Sequence, residues 1–302
     1  MGDFTSGFWE IYISVLTIVS ILACAVFLKS QTRTPAPGKV GTTGHVWDED
    51  LAEWNNPLPN WWRWLFYITI VFALVYVALY PGLGIFRGAL GWSQVGQYEQ
   101  EQKRAEATYG PIYAKYAGMA IEKVAADPAA MAIGQNLYLN YCAQCHASDA
   151  RGSRGFPNLA DGDWLWGGDP KQIKEGILAG RNGVMPAFGA ALGAEGTKDV
   201  AHFVLSLSGA PSDSVRVARG KEKYLQICAA CHGPEGKGNH ALGAPNLTDK
   251  VWLYGSGEAS ITETINQGRN NVMPAWKDFL GEQKIHVLAA YVWGLSNKPG
   301  AK

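Results

Sequence analysis

Cys142-Ala-Gln-Cys145-His146 and Cys228-Ala-Ala-Cys231-His232 carry the same five-position pattern, and each opens a longer shared segment. Pro157-Asn-Leu and Pro245-Asn-Leu come next, followed by Asp-x-x-Trp-Leu-aromatic-Gly in both copies. Both then reach Arg-Asn-x-Val-Met-Pro, at Arg181 to Met185 and Arg269 to Met273. The direct repeat spans 134–209 and 220–297, with an offset of 88 residues from the Pro-Asn-Leu onward (Pro157 to Pro245, Met185 to Met273). Two cysteines three apart with a histidine next in line form the arrangement that attaches a haem covalently. The thiols Cys142 and Cys145, and Cys228 and Cys231, form thioethers, and His146 or His232 reaches the iron. The methionine about forty residues on supplies the opposite ligand, which pairs His146 with Met185 and His232 with Met273. Histidine–methionine ligation raises the reduction potential and closes both axial positions, favouring electron transfer over substrate chemistry.

Zinc and a redox dithiol are the competing uses of such cysteines. A structural zinc site gathers four ligands, whereas each copy offers two cysteines and one histidine, with only His240 near the second. A dithiol needs neither the adjacent histidine nor the methionine. His202 and His286 fall at non-equivalent repeat positions and read as surface residues, and His45 as an exposed loop residue. Met119 and Met131 read as helix-packing residues.

The chain has 302 residues and zero formal net charge, so no basic field points to nucleic acid. Four of the five cysteines sit in the paired motifs, leaving no disulfide framework. Residues 11–28 and 64–86 are uncharged, and each is long enough for a bilayer core of about 30 Å. Trp61, Trp62 and Trp64 at one end of the second run, with Tyr80 and Phe86 toward the other, fit aromatic belts. Lys29, Arg33, Lys39 and Arg63 lie between or at the edge of the runs, and no Lys or Arg precedes the first. The positive-inside rule therefore makes loop 29–62 cytoplasmic and puts the N-terminus and everything after the second span outside. Asp3 and Glu10 make the start acidic, unlike a secretory signal peptide. Cleavage as a lipoprotein at Cys24 would turn the second span inward and leave the cysteine motifs in the cytoplasm. No ionisable residue sits mid-span, so the chain anchors rather than conducting protons by itself.

The segment between the spans reads Gly44-His-Val-Trp-Asp-Glu-Asp-Leu-Ala-Glu-Trp54, then Asn-Asn-Pro57-Leu-Pro-Asn-Trp61-Trp62. Residues 31–44 read as a flexible linker, and Trp47–Asn56 as a short amphipathic helix stopped by Pro57. This loop, the Trp pair before a span and the two C-terminal repeats together resemble the CcoP (FixP) family, subunits of cbb3-type cytochrome c oxidases. The resemblance covers essentially the whole chain. It implies two covalently bound haem c groups on a bacterial cytoplasmic membrane, with the haem domains periplasmic. It also implies that Pro157 and Pro245 carbonyls accept a hydrogen bond from the axial histidines, fixing their rings. Trp164, Trp166, Trp252 and Tyr254 are expected to line the pockets or to pack the core, and Arg181 and Arg269 either to meet haem propionates or to form a solvated loop pair with Asn182 and Asn270.

The expected fold is all-α: two N-terminal transmembrane helices, then two tandem class I cytochrome c domains. The expected boundaries are 1–30 and 61–92 for the spans, 31–60 for the loop, 93–130 for a helical linker, and 131–210 and 211–302 for the haem domains. Gly134, Tyr138 and Cys142, like Gly220, Tyr224 and Cys228, stand four apart on one helix face. By the resemblance, such a glycine lets the first helix of each domain cross that domain's last closely, against Phe203 in the first copy and Tyr291 in the second. The family's role is electron transfer from a soluble cytochrome c donor toward a mono-haem subunit and the catalytic haem–copper subunit, where oxygen is reduced. The chain itself is then a non-catalytic subunit. Residues 87–302 hold 22 basic and 20 acidic side chains, so no whole-domain field steers the donor.

Overall fold

A computed structural model describes residues 6–32, 40–84 and 86–297. Asp3, Arg33 and Lys39, three of the charges used above for topology, lie outside these residues. The chain divides into two compact units, 1–107 and 108–302.

In the first unit, α1 (Gly7–Gln31) and α2 (Asn60–Leu79) are long and apolar enough to cross a membrane. Only 6% of the α1 window and none of the α2 window is buried within the chain, so their apolar faces have no protein core to join. Such surface is matched by lipid or by other membrane helices. The second helix stops at Leu79, short of the expected Phe86, because Tyr80 precedes Pro81 and takes an extended conformation. Gly84 and Gly88 after it do make close approaches, to Glu10 and to the Leu79 carbonyl, whereas Gly91 meets nothing within 4 Å.

The loop corrects one expectation. Instead of a helix over Trp47–Asn56, the segment forms a hairpin of β1 (Thr42–Trp47) and β2 (Leu51–Trp54), with Val46 opposite Ala52 and Trp47 opposite Leu51. Thr42, Thr43, Val46, Trp47 and Trp54 are β-branched or aromatic and suit a pleated pair. The turn forces Asp48 and Glu49 to φ of 48° and 72°.

In the second unit the order continues with α3 (Gln94–Ala117, entered from the first unit), α4 (Ile121–Ala125), α5 (Pro128–Tyr141), α6 (Ala143–His146), α7 (Pro170–Ala179) and β3 (Arg181–Met185). After these come α8 (Gly189–Leu207), α9 (Ser214–Ile227), α10 (Ala229–His232), α11 (Glu258–Gln267), β4 (Arg269–Met273), α12 (Lys277–Leu280) and α13 (Glu282–Asn297). Asp127 caps α5 through the Ala129 amide with Pro128 in the first turn, and Asp213 caps α9 through Val215 and Arg216. Each such cap contributes about 1 kcal/mol. A reciprocal Asp169–Gln172 capping box starts α7.

Two cores form, and each mixes the repeats. Val124, Tyr138, Ile173 and Ile177 pack with Ile285, Leu288 and Val292 of α13, the closing helix of the second copy. Tyr224, Ile261 and Ile265 pack with Val200, Phe203 and Val204 of α8, the closing helix of the first. The glycine crossings record the exchange. A Cβ on Gly134 would fall 2.5 Å from Tyr291 Cβ, and one on Gly220 would fall 2.0 Å from the Asp199 carbonyl oxygen and 3.0 Å from Phe203 Cβ. The tight crossing expected of each first helix is therefore present, but with the other copy's last helix.

The chain changes sides on a two-stranded antiparallel ladder, β3 with β4, in the register Arg181 to Met273 and Met185 to Arg269. Gly180 and Gly268 lead into it at φ of 73° and 71°, where a Cβ would sit 2.4 Å from the Met273 or Met185 carbonyl oxygen. Only glycine fits there, both for the left-handed backbone and for the contact. One core is thus built from residues 181–268, and the other from the helices before Gly180 joined by the chain after Gly268.

Candidate functional site

Each cysteine motif is one helical turn at the end of a longer helix. Cys142 ends α5, and the Cys145 and His146 amides donate back to its carbonyl at 3.1 and 2.9 Å. Cys228 ends α9 and receives Cys231 and His232 at 3.2 and 3.0 Å. A fully buried tyrosine pins the residue after each histidine: Tyr138 donates to the Ala147 carbonyl at 2.7 Å, and Tyr224 to that of Gly233 at 2.8 Å. Gly134 and Gly220 are buried on the same faces as these tyrosines, as the four-residue spacing predicts.

His146 Nδ1 lies 3.0 Å from the Pro157 carbonyl, and His232 Nδ1 lies 3.1 Å from that of Pro245. A carbonyl can only accept, so Nδ1 donates and Nε2 keeps its lone pair. Burial holds both histidines below the usual imidazole range, against the opposing pull of the proline carbonyls. The neutral, Nε2-free imidazole is the metal-ligand form. Burial pushes the Cys142 and Cys228 thiols up to about 11, with the neighbouring cysteine adding to it. Such thiols are poor thiolate donors to a bare metal.

The methionines do not join the histidine of their own copy. Met273 packs into the core that contains Cys142, Ala143 and Trp164. Met185 packs into the core that contains Cys228, Ala229 and Trp252. The pairing expected from spacing, His146 with Met185 and His232 with Met273, is therefore exchanged in the packing.

The arginines stay at home, because the crossing falls inside each strand. Arg181 donates through Nη2 to the Gln172 carbonyl at 3.0 Å and lies 5.4 Å from the Trp166 ring. Arg269 donates to Thr264 Oγ1 and Glu263 Oε1, both at 3.0 Å, and lies 4.3 Å from the Tyr254 ring. Its Nη2 is buried with no hydrogen-bond partner. An unmatched buried cationic N–H is costly and calls for an anion. A haem propionate is such an anion, so the donor set fits the group that the cysteine motifs imply. Asn182 and Asn270, beside the arginines, face outward.

Among the other histidines, His45 and His240 are exposed. His202 bonds the Asp213 amide and lies 3.5 Å from Glu258. His286 corrects the surface reading: it is buried, and its Nε2 donates to the Met119 carbonyl at 2.9 Å. Met119 and Met131 pack in the first core, as helix-packing residues do.

A family described as the N-terminal domain of cytochrome oxidase-cbb3, FixP, matches residues 39–87. A second, described as cytochrome C oxidase, cbb3-type, subunit III, matches residues 129–204 and again 215–292. The cbb3-type cytochrome c oxidase subunit CcoP of Rubrivivax gelatinosus is 52% identical over 297 residues, covering 98% of this chain and 97% of that one. The FixP subunit of Sinorhizobium medicae is 40% identical over 85% of this chain and 94% of its own, and that of Bradyrhizobium diazoefficiens 42% over 84% and 94%. The histidine turns, the methionine-bearing ladder and the apolar anchor thus sit in a full-length match, and the chain belongs to the CcoP/FixP family of cbb3-type cytochrome c oxidase subunits.

Proposed function

We propose that the chain carries two haem c groups and relays electrons from a soluble cytochrome c donor, through both sites, toward the mono-haem and catalytic haem–copper subunits of the oxidase. Cys142 and Cys145 would hold one haem, with His146 and Met273 available to its iron, and Cys228 and Cys231 would hold the other, with His232 and Met185 available. Each haem supplies a one-electron carrier. The chain's own work is to hold, orient and dry it: the Pro157 and Pro245 carbonyls fix the imidazoles, and Arg181 and Arg269 meet propionates. The Tyr138 and Tyr224 hydroxyls lock the turns that carry the ligands. A histidine and a methionine on each iron would leave no open position for oxygen, which makes the subunit a carrier and non-catalytic on its own in this reading.

The observation that carries this reading is that each core gathers one cysteine–histidine turn and the methionine end of one strand. Haem attachment outside the cytoplasm and the positions of Lys29 and Arg63 between the two apolar helices support the same topology. The N-terminus and both haem domains lie in the periplasm, the hairpin loop lies in the cytoplasm, and α1 and α2 anchor the chain in the inner membrane. In this reading the boundaries at 30, 60 and 130 mark the first span, the loop and the linker, the second span ends at Leu79, and the two haem-holding cores divide at Gly180 and Gly268 rather than at 210.

The test is purification of the tagged chain from its own membranes in mild detergent, with a reduced spectrum and oxygen uptake measured on the product. Co-purifying b-type haem and oxygen consumption are the expected result. A preparation holding only c-type haem, with an active oxidase left behind, would mean that the chain serves another complex.

A further inference from the structure

The two cores touch beside the middle of the β3–β4 ladder, where the Trp166 side chain reaches from one to the other. Trp166 follows His146 in the chain, yet its indole packs on Gly243 in the other core. A Cβ at Gly243 would fall 2.3 Å from Trp166 Cζ2 and 2.4 Å from Cε2. Gly243 belongs to a loop closed by the Asn239–Ala244 bridge, with N–O distances of 2.9 and 3.0 Å. Two residues later stands Pro245, whose carbonyl accepts the Nδ1 hydrogen of His232. The indole is itself held in place by Arg181 and by Gly183, the central residue of β3, 3.8 Å from Cζ2 by the same construction.

The repeat supplies a looser counterpart. Tyr254 lies 3.7 Å from where a Cβ on Gly155 would be, and Gly155 is two residues before Pro157. Tyr254 also bonds the side chain of Asn271, which pairs with Gly183 across the ladder. The Gly155 amide donates to the Leu253 carbonyl at 2.9 Å. Each histidine-orienting loop is thus backed by an aromatic residue of the other copy, tightly at Trp166 and loosely at Tyr254.

We propose that Trp166 is a positioning residue for the axial histidine of the other site: it holds the Gly243–Pro245 loop so that the Pro245 carbonyl stays on His232 Nδ1. The inference rests on the haem reading given above. A carbonyl accepting from the far nitrogen of a ligand histidine fixes the ring and raises its basicity, which favours the oxidised metal. Removing the indole opens a void under the loop, the carbonyl relaxes away from His232, and the reduction potential of that site rises. Electron distribution between the two sites is thereby set by a residue that belongs to the first copy but acts on the second.

The experiment uses the complete two-haem chain in detergent. Wild type, Trp166→Leu and Trp166→Phe are compared for covalent haem content, for the potential of each haem by spectroelectrochemical titration, and for hydrogen exchange at His232 Nδ1. Trp166→Leu is expected to raise the potential of the His232 site by at least about threefold in the one-electron equilibrium, ~30 mV. The shift at the His146 site is smaller, and the His232 Nδ1 hydrogen exchanges faster. Trp166→Phe, which keeps a ring against Gly243, restores most of both. Full haem content with an unmoved His232 site, or a shift as large at the His146 site, would overturn the proposal. A wild-type chain without covalent haem would instead overturn the reading on which it rests.

Discussion

Replacing Gly134 by alanine tests the exchange of helices between the repeats. Alanine is the better helix former by about 1 kcal/mol, so a freely exposed α5 would gain stability. In this fold the new Cβ would lie 2.5 Å from Tyr291 Cβ and 3.2 Å from the Val287 carbonyl oxygen, where ordinary contact begins at 3.4 Å. Neither neighbour is the mobile end of a side chain, so α5 and α13 must separate. Overpacking of this kind costs about 1–3 kcal/mol, which offsets or exceeds the propensity gain and leaves a net loss of up to about 2 kcal/mol. At that upper figure the open fraction rises roughly 30-fold. Peptide-resolved hydrogen exchange locates it: the amides of α13, residues 282–297, lose protection, while those of α8, residues 189–207, keep theirs. Gly220→Ala, with its Cβ 2.0 Å from the Asp199 carbonyl oxygen, does the reverse. If Gly134→Ala loosens α8 and spares α13, the helices are not exchanged and the reasoning fails.

Three further outcomes follow from single residues. Ala147 sits at φ 63° and ψ 161°, a region nearly reserved for glycine, and the second copy has Gly233 in the same place at φ 77°. Ala147→Gly should therefore stabilise the first core by about 1 kcal/mol in chemical unfolding, and a loss would refute the strain. The buried Asp199 carboxylate bonds Arg219 and Arg216 and lies 3.6 Å from Lys223; Arg219 first, then the other cations, hold it below the usual carboxylate range against the cost of burial. Its contribution is present above the unfolded value near pH ~3.9 and is lost as pH falls through the folded one. Asp199→Asn should cost about 2 kcal/mol at neutral pH, since the cations left behind are partly exposed, and should flatten the acid limb of stability against pH. Arg269→Gln removes the cation with the orphaned Nη2 and should lower the potential of the haem on Cys228 and Cys231 by about threefold to tenfold, ~30–60 mV, in a redox titration. A rise would show that this arginine does not face the haem's charge.

Much of this architecture can be read from residue spacing because each signal is local. The two apolar helices, the Asp127–Pro128 start of α5 and the Gly-Tyr-Cys face depend only on neighbours within a turn or two. The exchange of helices was hidden for the opposite reason. A direct repeat makes two surfaces of nearly the same chemistry, so Gly134 can be read as meeting Phe203 as easily as Tyr291. What decides between them is a link of one residue, Gly180 or Gly268, whose left-handed backbone delivers the chain straight into the ladder. The loop hairpin was missed because Pro57 and the spaced tryptophans suggest a short helix, while cross-strand pairing is invisible to local periodicity. His286 looked exposed because its repeat partner is Lys198, yet it lies on the apolar run Ile285–Val292 and is covered by the Met119 carbonyl.

The most direct test of the account is to ask which methionine serves which haem. Chains retaining only the second haem, with Cys142 and Cys145 replaced by serine, would each carry Met185→Ala or Met273→Ala. The charge-transfer band between methionine sulfur and ferric iron would be recorded, and the two-haem chain with the same substitutions would serve as control. The exchanged arrangement predicts that Met185→Ala abolishes the band of the haem on His232 and opens it to carbon monoxide when reduced, while Met273→Ala leaves both unchanged. Loss of the band with Met273→Ala and its survival with Met185→Ala would contradict the account.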